Sequence, residues 1–319
     1  MLRRPVKIDW FGGALIVAGV SALLIWSTLA GDKYAWASWQ SAVLVGAGLV
    51  LLALAVFVES RAAEPIIPLS IFRNRTITLA TVATVVVGIL MFGSGTFLSQ
   101  YLQISLGKSP MVAGLMTLPL VFGLLVSSTV TGRQITQHGR WKRFLVAGAV
   151  LMAAGVLLFS FIDSQTSFLV LAMYMIVFGV GIGMLLQNLV LAAQIEVAGR
   201  NLGAATSTVS FFRSLGGAIG VGALGTVLAS RVTTLLQERL GAGVTGDGSV
   251  KVPALASLPP EMVPVFQASY GAATADLFRV AVPIALVAVL AVVLIKEKPL
   301  QTLSGDQRRA KEAAAAPPG

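Results

Sequence analysis

The chain has no cysteine and a single histidine, His138. Disulfide frameworks, thiol nucleophiles and cysteine metal sites are thereby excluded, and a histidine-based metal site or catalytic triad lacks the residues to assemble. Charge is scarce too. Asp, Glu, Lys and Arg make up 11% of the 319 residues, against about 25% in a soluble domain, so the chain cannot cover a folded surface with solvated groups. Acids are scarcer than bases, 13 against 23, which leaves a formal charge of +10. In a soluble protein that excess would suggest nucleic acid. Here the bases lie in short patches between apolar runs, not on one helix face or in a basic domain, and no nucleic-acid partner is expected. There is no acid pair, nucleophile–base set, metal cluster or phosphate loop at useful spacing, so neither an enzyme nor a cofactor is expected.

What is abundant is apolar sequence: 56% of residues, with a mean hydropathy of +0.87. Eight runs are long enough to cross a hydrocarbon core of roughly 30 Å, near residues 10–30, 38–58, 77–99, 110–131, 144–162, 167–190, 206–229 and 275–295. The pattern predicts an all-α polytopic membrane protein whose first partner is the lipid bilayer. Arg3, Arg4 and Lys7 precede the first run as they would in a signal peptide. That run is too long for a signal-peptide core and seven more follow, so it reads as an uncleaved helix. With the N-terminus in the cytoplasm, only Lys33, Lys108, Arg231, Arg239 and Lys251 fall in outer segments, and Arg213 and Arg279 within spans. The remaining sixteen of the 23 bases lie inside, a bias that puts both termini in the cytoplasm.

Few polar residues lie within the spans. Arg213, in "SFFRSLGGAIGVG", is a permanent cation in the inner part of the seventh span; it either snorkels to the headgroups or faces a wet cavity with Thr206, Ser207 and Ser210. Gln187 and Asn188 near the inner end of the sixth span either meet a substrate or bond to a neighbouring helix. Gly216 and Gly220 recur four residues apart, as do Gly179 and Gly183, which marks faces for close helix approach. Asp276 and Arg279, one turn apart, are expected to pair with each other. Pro119 and Pro283 should bend their spans. "FGSGTFLSQ" (92–100) echoes "FGVGIGMLLQ" (178–187) three spans later and in the opposite membrane direction, as in an inverted three-plus-three repeat. No carboxylate lies in the middle of any span.

The segment "GRQITQHGRWKR" (132–143) resembles the signature loop of the major facilitator superfamily, with Gly132, Gly139, Arg140, Lys142 and Arg143 matching and Thr136 standing where that family's aspartate would be. With "KIDWFGGALIVAG", "ESRAAEPIIPLSIFRNR", "YLQISLGKSPMVAGLMTLP", "LVLAAQIEV" and the Arg213 segment, in that family's order over residues 7 to 295, the chain resembles its fourteen-helix drug:proton antiporters. The resemblance implies a linker pair of helices at 1–60, a cytoplasmic connector at 61–76, and a six-helix C-terminal domain at 77–296. It further implies an N-terminal six-helix half not encoded here. Independently of it, "GAGVTGDGS" and "LPPEMVP" make 230–274 read as a flexible outer loop with room for one short interfacial helix, and the charged, low-complexity end 297–319 reads as a disordered tail. It implies a bacterial inner-membrane permease that exports amphipathic small molecules against proton entry. A facilitator for another solute, or a truncated and non-transporting half-protein acting as an assembly partner, are the alternatives.

Overall fold

The computed structural model describes residues 10–29, 38–61, 69–197, 202–240 and 261–298. Among them there is no strand. The helices are α1 (Trp10–Leu29), α2 (Trp39–Arg61), α3 (Arg75–Ile104), α4 (Pro110–Met116), α5 (Leu118–His138), α6 (Lys142–Phe159), α7 (Phe168–Ile195), α8 (Leu202–Leu240) and α9 (Val263–Leu294), with a 3-10 turn, Leu69–Arg73, before α3. Six spans, those of α3, α4–α5, α6, α7, α8 and α9, are long and apolar enough to cross a membrane. Of the eight expected spans, these six have the length and apolarity of a crossing helix. α1 and α2 carry shorter apolar stretches, Gly12–Leu23 and Trp39–Ala55.

Local chemistry sets the boundaries. The Asn74 side chain caps α3 by accepting from the Thr76 N–H at 2.8 Å, which satisfies one of the free donors of the first turn. The expected fourth span forms as two pieces. Pro119 has no N–H to bond one turn back, so the helix breaks at Thr117, whose hydroxyl donates to the Gly114 carbonyl at 2.7 Å. α5 then ends at Gly139, which adopts φ 70° and donates its N–H to the Ile135 carbonyl at 2.8 Å. That left-handed cap suits glycine because a Cβ would be strained there.

The last two spans are longer than hydropathy indicates. The segment 230–274, expected to be a flexible outer loop, is helical at both ends: α8 continues to Leu240 and α9 begins at Val263. Leu228, Val232 and Leu236 are all buried at four-residue spacing, as are Phe266, Tyr270 and Thr274. An amphipathic stripe thus carries each helix past the point where the apolar run stops at Arg231. Residues 241–260 and the tail from 299 lie outside the described residues, and with them the Gly-rich part of that loop and the expected disordered end.

Two glycine seams organise the bundle. α3 and α8 run parallel. A methyl group placed on Gly216 would lie 2.4 Å from the Val85 carbonyl oxygen, one on Gly220 2.7 Å from the Ile89 Cα, and one on Gly88 2.1 Å from the Arg213 carbonyl oxygen. α5 and α7 also run parallel, and methyls on Gly179 and Gly183 would lie 2.2 and 2.3 Å from the carbonyl oxygens of Leu120 and Leu124. Only the missing side chain lets these backbones meet. The neighbour pattern has a symmetry. Exchanging α3 with α7, α5 with α8 and α6 with α9 converts the α3–α8 seam into the α7–α5 seam and the α6–α7 contact into the α9–α3 contact. α1 and α2 pack on each other at Gly19 and Gly48, and α1 reaches the remaining bundle through α8.

Polar clasps close the ends of the bundle. At the end bearing the α5–α6 turn, here termed the inner end, the Glu196 carboxylate accepts from Asn74 Nδ2 and Lys298 Nζ, each at 2.6 Å, with its side chain only 3% exposed. Trp141, fully buried, donates its indole N–H to the Lys298 carbonyl at 2.9 Å, and the Lys142 N–H donates to Glu297. The inner ends of α3, α6, α7 and α9 are thus joined. At the opposite end the Tyr101 hydroxyl donates to the Asp163 carbonyl, Ser105 to the Gln267 carbonyl at 2.9 Å, and the Tyr270 hydroxyl to Gln100 Oε1 at 3.0 Å.

Candidate functional site

α5 carries no acid anywhere along its length, and its inner half reads S-S-T-V-T-G-R-Q-I-T-Q from Ser127 to Gln137. Ser128, Gly132 and Thr136 form one stripe at four-residue spacing, and Thr129, Arg133 and Gln137 form the next. Together these two stripes and Gln187 of α7 line an open groove of about 430 Å³. The seam explains why Gln187 belongs there: Leu124 lies against Gly183, so one turn further inward Ser128 lies at the height of Gln187. The hydroxyls of Thr129 and Thr136 already donate to the carbonyls of Leu125 and Gly132, each at 2.9 Å, and offer only acceptor lone pairs. Arg133, Gln137 and Gln187 bond to no other described residue, so their N–H groups are free. The groove's single formal charge is positive.

The signature-loop residues divide their work. Gly132 lies in the groove wall with nothing within 4 Å of a methyl placed on it, and Gly139 makes the left-handed turn. Arg140 is exposed beside that turn. Lys142 opens α6 on the inner clasp, and the Arg143 guanidinium lies 4.8 Å from the centre of the Phe144 ring. Thr136 lines the groove at the point where an aspartate would have introduced a negative charge.

Arg213 lies outside the groove. It is half-buried and has no hydrogen bond or ion pair with any described residue. α7 and α8 run antiparallel and are joined by Gln194 Nε2 donating to Thr206 Oγ1 at 2.8 Å, beside a small cluster of Ala193, Ala205 and Val209. Continued along both helices, that register puts Gln187 and Arg213 at about the same height along α7. Eighteen residues separate Arg213 from Arg231, about 27 Å along a helix, close to the roughly 30 Å of a hydrocarbon core. Arg231 lies 3.8 Å from Asp276 near the opposite end of the bundle. Arg213 therefore lies near the inner edge of the apolar layer, where its guanidinium can reach water or headgroups. The penalty is then below the roughly 2.5–3.5 kcal/mol of an arginine at a helix centre.

Asn188 is buried and donates to the Met184 carbonyl of its own helix at 2.6 Å, so it turns away from Gln187 and the groove. Asp276 pairs with Arg279 and also with Arg231, a partner that lies across a long segment and so escapes any reading by spacing. Arg133, Ser128 and Gln137 were equally hidden, although the i, i+4 spacing of Thr129, Arg133 and Gln137 beside Thr136 was a usable signal. Among the described residues no group of His, Asp or Glu could hold a metal ion.

Residues 8–221 match the profile of the Major Facilitator Superfamily. An uncharacterised MFS-type transporter of Mycobacterium tuberculosis is 36% identical over 313 residues, which covers 96% of this chain and 45% of the relative. Multidrug transporter protein MdtP of Bacillus subtilis is 34% identical over 257 residues, covering 81% of this chain and again 45% of the relative. The chain spans about 45% of the length of these relatives. A crystal structure of a bacterial homolog to the human lysosomal transporter Spinster, inward-facing and occupied, has a TM-score of 0.56 at 15% identity over 89% of this chain and 65% of that one, a likeness of fold alone. The profile match and the identity to these relatives agree with the helical bundle, and the chain belongs to the Major Facilitator Superfamily.

Proposed function

We propose that this chain is the C-terminal portion of a multidrug export permease of the fourteen-helix drug:proton antiporter type, in a bacterial inner membrane with both termini cytoplasmic. The observation that carries the reading is the groove on α5 and α7. It is polar, opens toward the inner end, and lies among helices related by an exchange of two triplets. That exchange symmetry supports an inverted three-plus-three repeat for α3–α6 and α7–α9, with α1 and α2 as two further crossings between the halves. The α4–α5 span and α8 are the least buried of the six and expose Phe122, Leu125, Val126 and Ile219. A second six-helix half, in keeping with relatives more than twice as long, would cover these faces and close the groove into a cavity. Rocking of the two halves then alternates access to it, with Gln187 as cavity surface, Asn188 as internal packing, and Arg213 at the inner mouth. This half offers no carboxylate in mid-span, so proton coupling falls to the other one.

The test is a drug-panel efflux assay on the complete permease in a pump-deficient bacterial host, with and without a collapsed proton gradient. Gradient-dependent lowering of drug accumulation is expected. Accumulation unchanged by expression across the panel would refute export. Export that survives collapse of the gradient would refute proton coupling while leaving a facilitator.

A further inference from the structure

We propose that the groove between α5 and α7 holds the single anionic group, a carboxylate or phosphate ester, of an amphiphile; that the amphiphile is cargo rests on the export reading above, whereas the anion site does not. The polar lining is unbalanced. Arg133, Gln137 and Gln187 present free N–H donors, and Thr129 and Thr136 have already given their protons to the backbone. α5 has no acid, and α7 has none before Glu196 at its C-terminal cap. Glu196 is committed to Asn74 and Lys298. No described residue lining the groove neutralises Arg133, and an anion would be met by a guanidinium flanked by two amides, the donor set that charge-assisted hydrogen bonding favours. A cation would meet no opposing charge.

The tail of the ligand has a place as well. Val126 and Val130 precede Arg133 and Gln137 on one stripe of α5, and both are exposed. A polar head at Arg133 therefore continues into an apolar track that leads away from the inner end. Two amphiphiles carry this chemistry: an anionic lipid, through its headgroup, or a transported molecule.

Phenylbutyrate, phenylbutyramide and phenylbutylamine share one apolar body and differ in charge. Their binding to the complete permease in nanodiscs of zwitterionic lipid is to be measured by calorimetry for the wild type, Arg133→Gln and Arg133→Lys. Phenylbutyrate is expected to bind at least about tenfold more tightly than the amide, and the amine not to bind. Arg133→Gln should weaken the carboxylate about tenfold and leave the amide unchanged, with Arg133→Lys in between. Arg133 is exposed, so the fold should survive both changes. In a second arm, the melting temperature is compared in nanodiscs with and without phosphatidylglycerol. A stabilisation that Arg133→Gln abolishes, with no binding of phenylbutyrate, supports the anion site and assigns it to lipid. Equal affinities for the three probes, together with a phosphatidylglycerol response indifferent to Arg133, overturn the proposal. Failure of the export reading looks different: none of the three probes crosses energised proteoliposomes, while Arg133-dependent anion binding persists.

Discussion

The α5–α7 seam makes a sharp demand on Gly179. A methyl group there would lie 2.2 Å from the Leu120 carbonyl oxygen and 3.2 Å from the Leu124 nitrogen, whereas ordinary contact begins near 3.4 Å. Gly179→Ala must therefore open the seam by roughly 1 Å, and both opposing atoms are backbone with no rotamer to yield. A gap of that size forfeits up to about half of each dispersion contact along the interface, and overpacking of a tight core costs about 1–3 kcal/mol. Against this, alanine in a helix interior gains about 1 kcal/mol over glycine, so the net loss is at most about 2 kcal/mol. Gly95→Ala supplies the control, because a methyl there meets nothing within 4 Å and only the propensity gain remains. Thermal melting of the two variants in the complete permease, followed by tryptophan fluorescence in detergent, should separate them by several degrees, with Gly179→Ala lower. Indistinguishable melting would show that the seam does not hold the helices at this distance.

Other perturbations probe the ends of the bundle. Arg213→Ala in the complete permease is expected to impair efflux while membrane insertion, followed by fractionation, stays normal; unchanged drug resistance would leave Arg213 a headgroup anchor. Glu196→Ala strands the half-buried Asn74 amide and should cost about 1–2 kcal/mol. Lys298→Ala removes a partner whose side chain is 56% exposed and should cost under about 1 kcal/mol; equal losses in chemical denaturation would contradict the clasp. These 319 residues hold no cysteine, so an introduced one is the single thiol among them. A membrane-impermeant maleimide should reach Thr136→Cys only from the cytoplasmic side and Gln165→Cys only from outside, and the reverse pattern would overturn the orientation.

The legible parts of this fold were those encoded within a few turns of helix. Apolar runs marked the spans, and the four-residue glycine spacings at 179/183 and 216/220 coincide with the two seams. Pro119 marked a disturbance in the fourth span, though not that the helix would break and restart. Hydropathy closed α8 too early because it averages over a window. Past Arg231 the helix is held by one buried stripe, Val232 and Leu236, on an otherwise polar face. The clasps were illegible for a different reason. Asn74 and Glu196 are 122 residues apart and Lys298 and Glu196 are 102 apart, and no local pattern announces a partner at that range. The groove was half legible: Gln187, Gly132 and Thr136 drew notice in separate segments, while only the register of α5 on α7 brings them together with Arg133.

α5 has one further property. Each of its side-chain hydrogen bonds among the described residues returns to its own backbone, from Ser127, Thr129, Thr136 and His138, and it takes part in neither clasp. Its attachment to α7 is a fitted track of bare backbone. Gliding along that track breaks no side-chain hydrogen bond, but it carries the Leu120 and Leu124 carbonyls off Gly179 and Gly183 and against residues that have side chains, while lifting off it opens a void. A rod mounted this way is indexed by two notches, so the height of Arg133 beside Gln187 is set by shape alone.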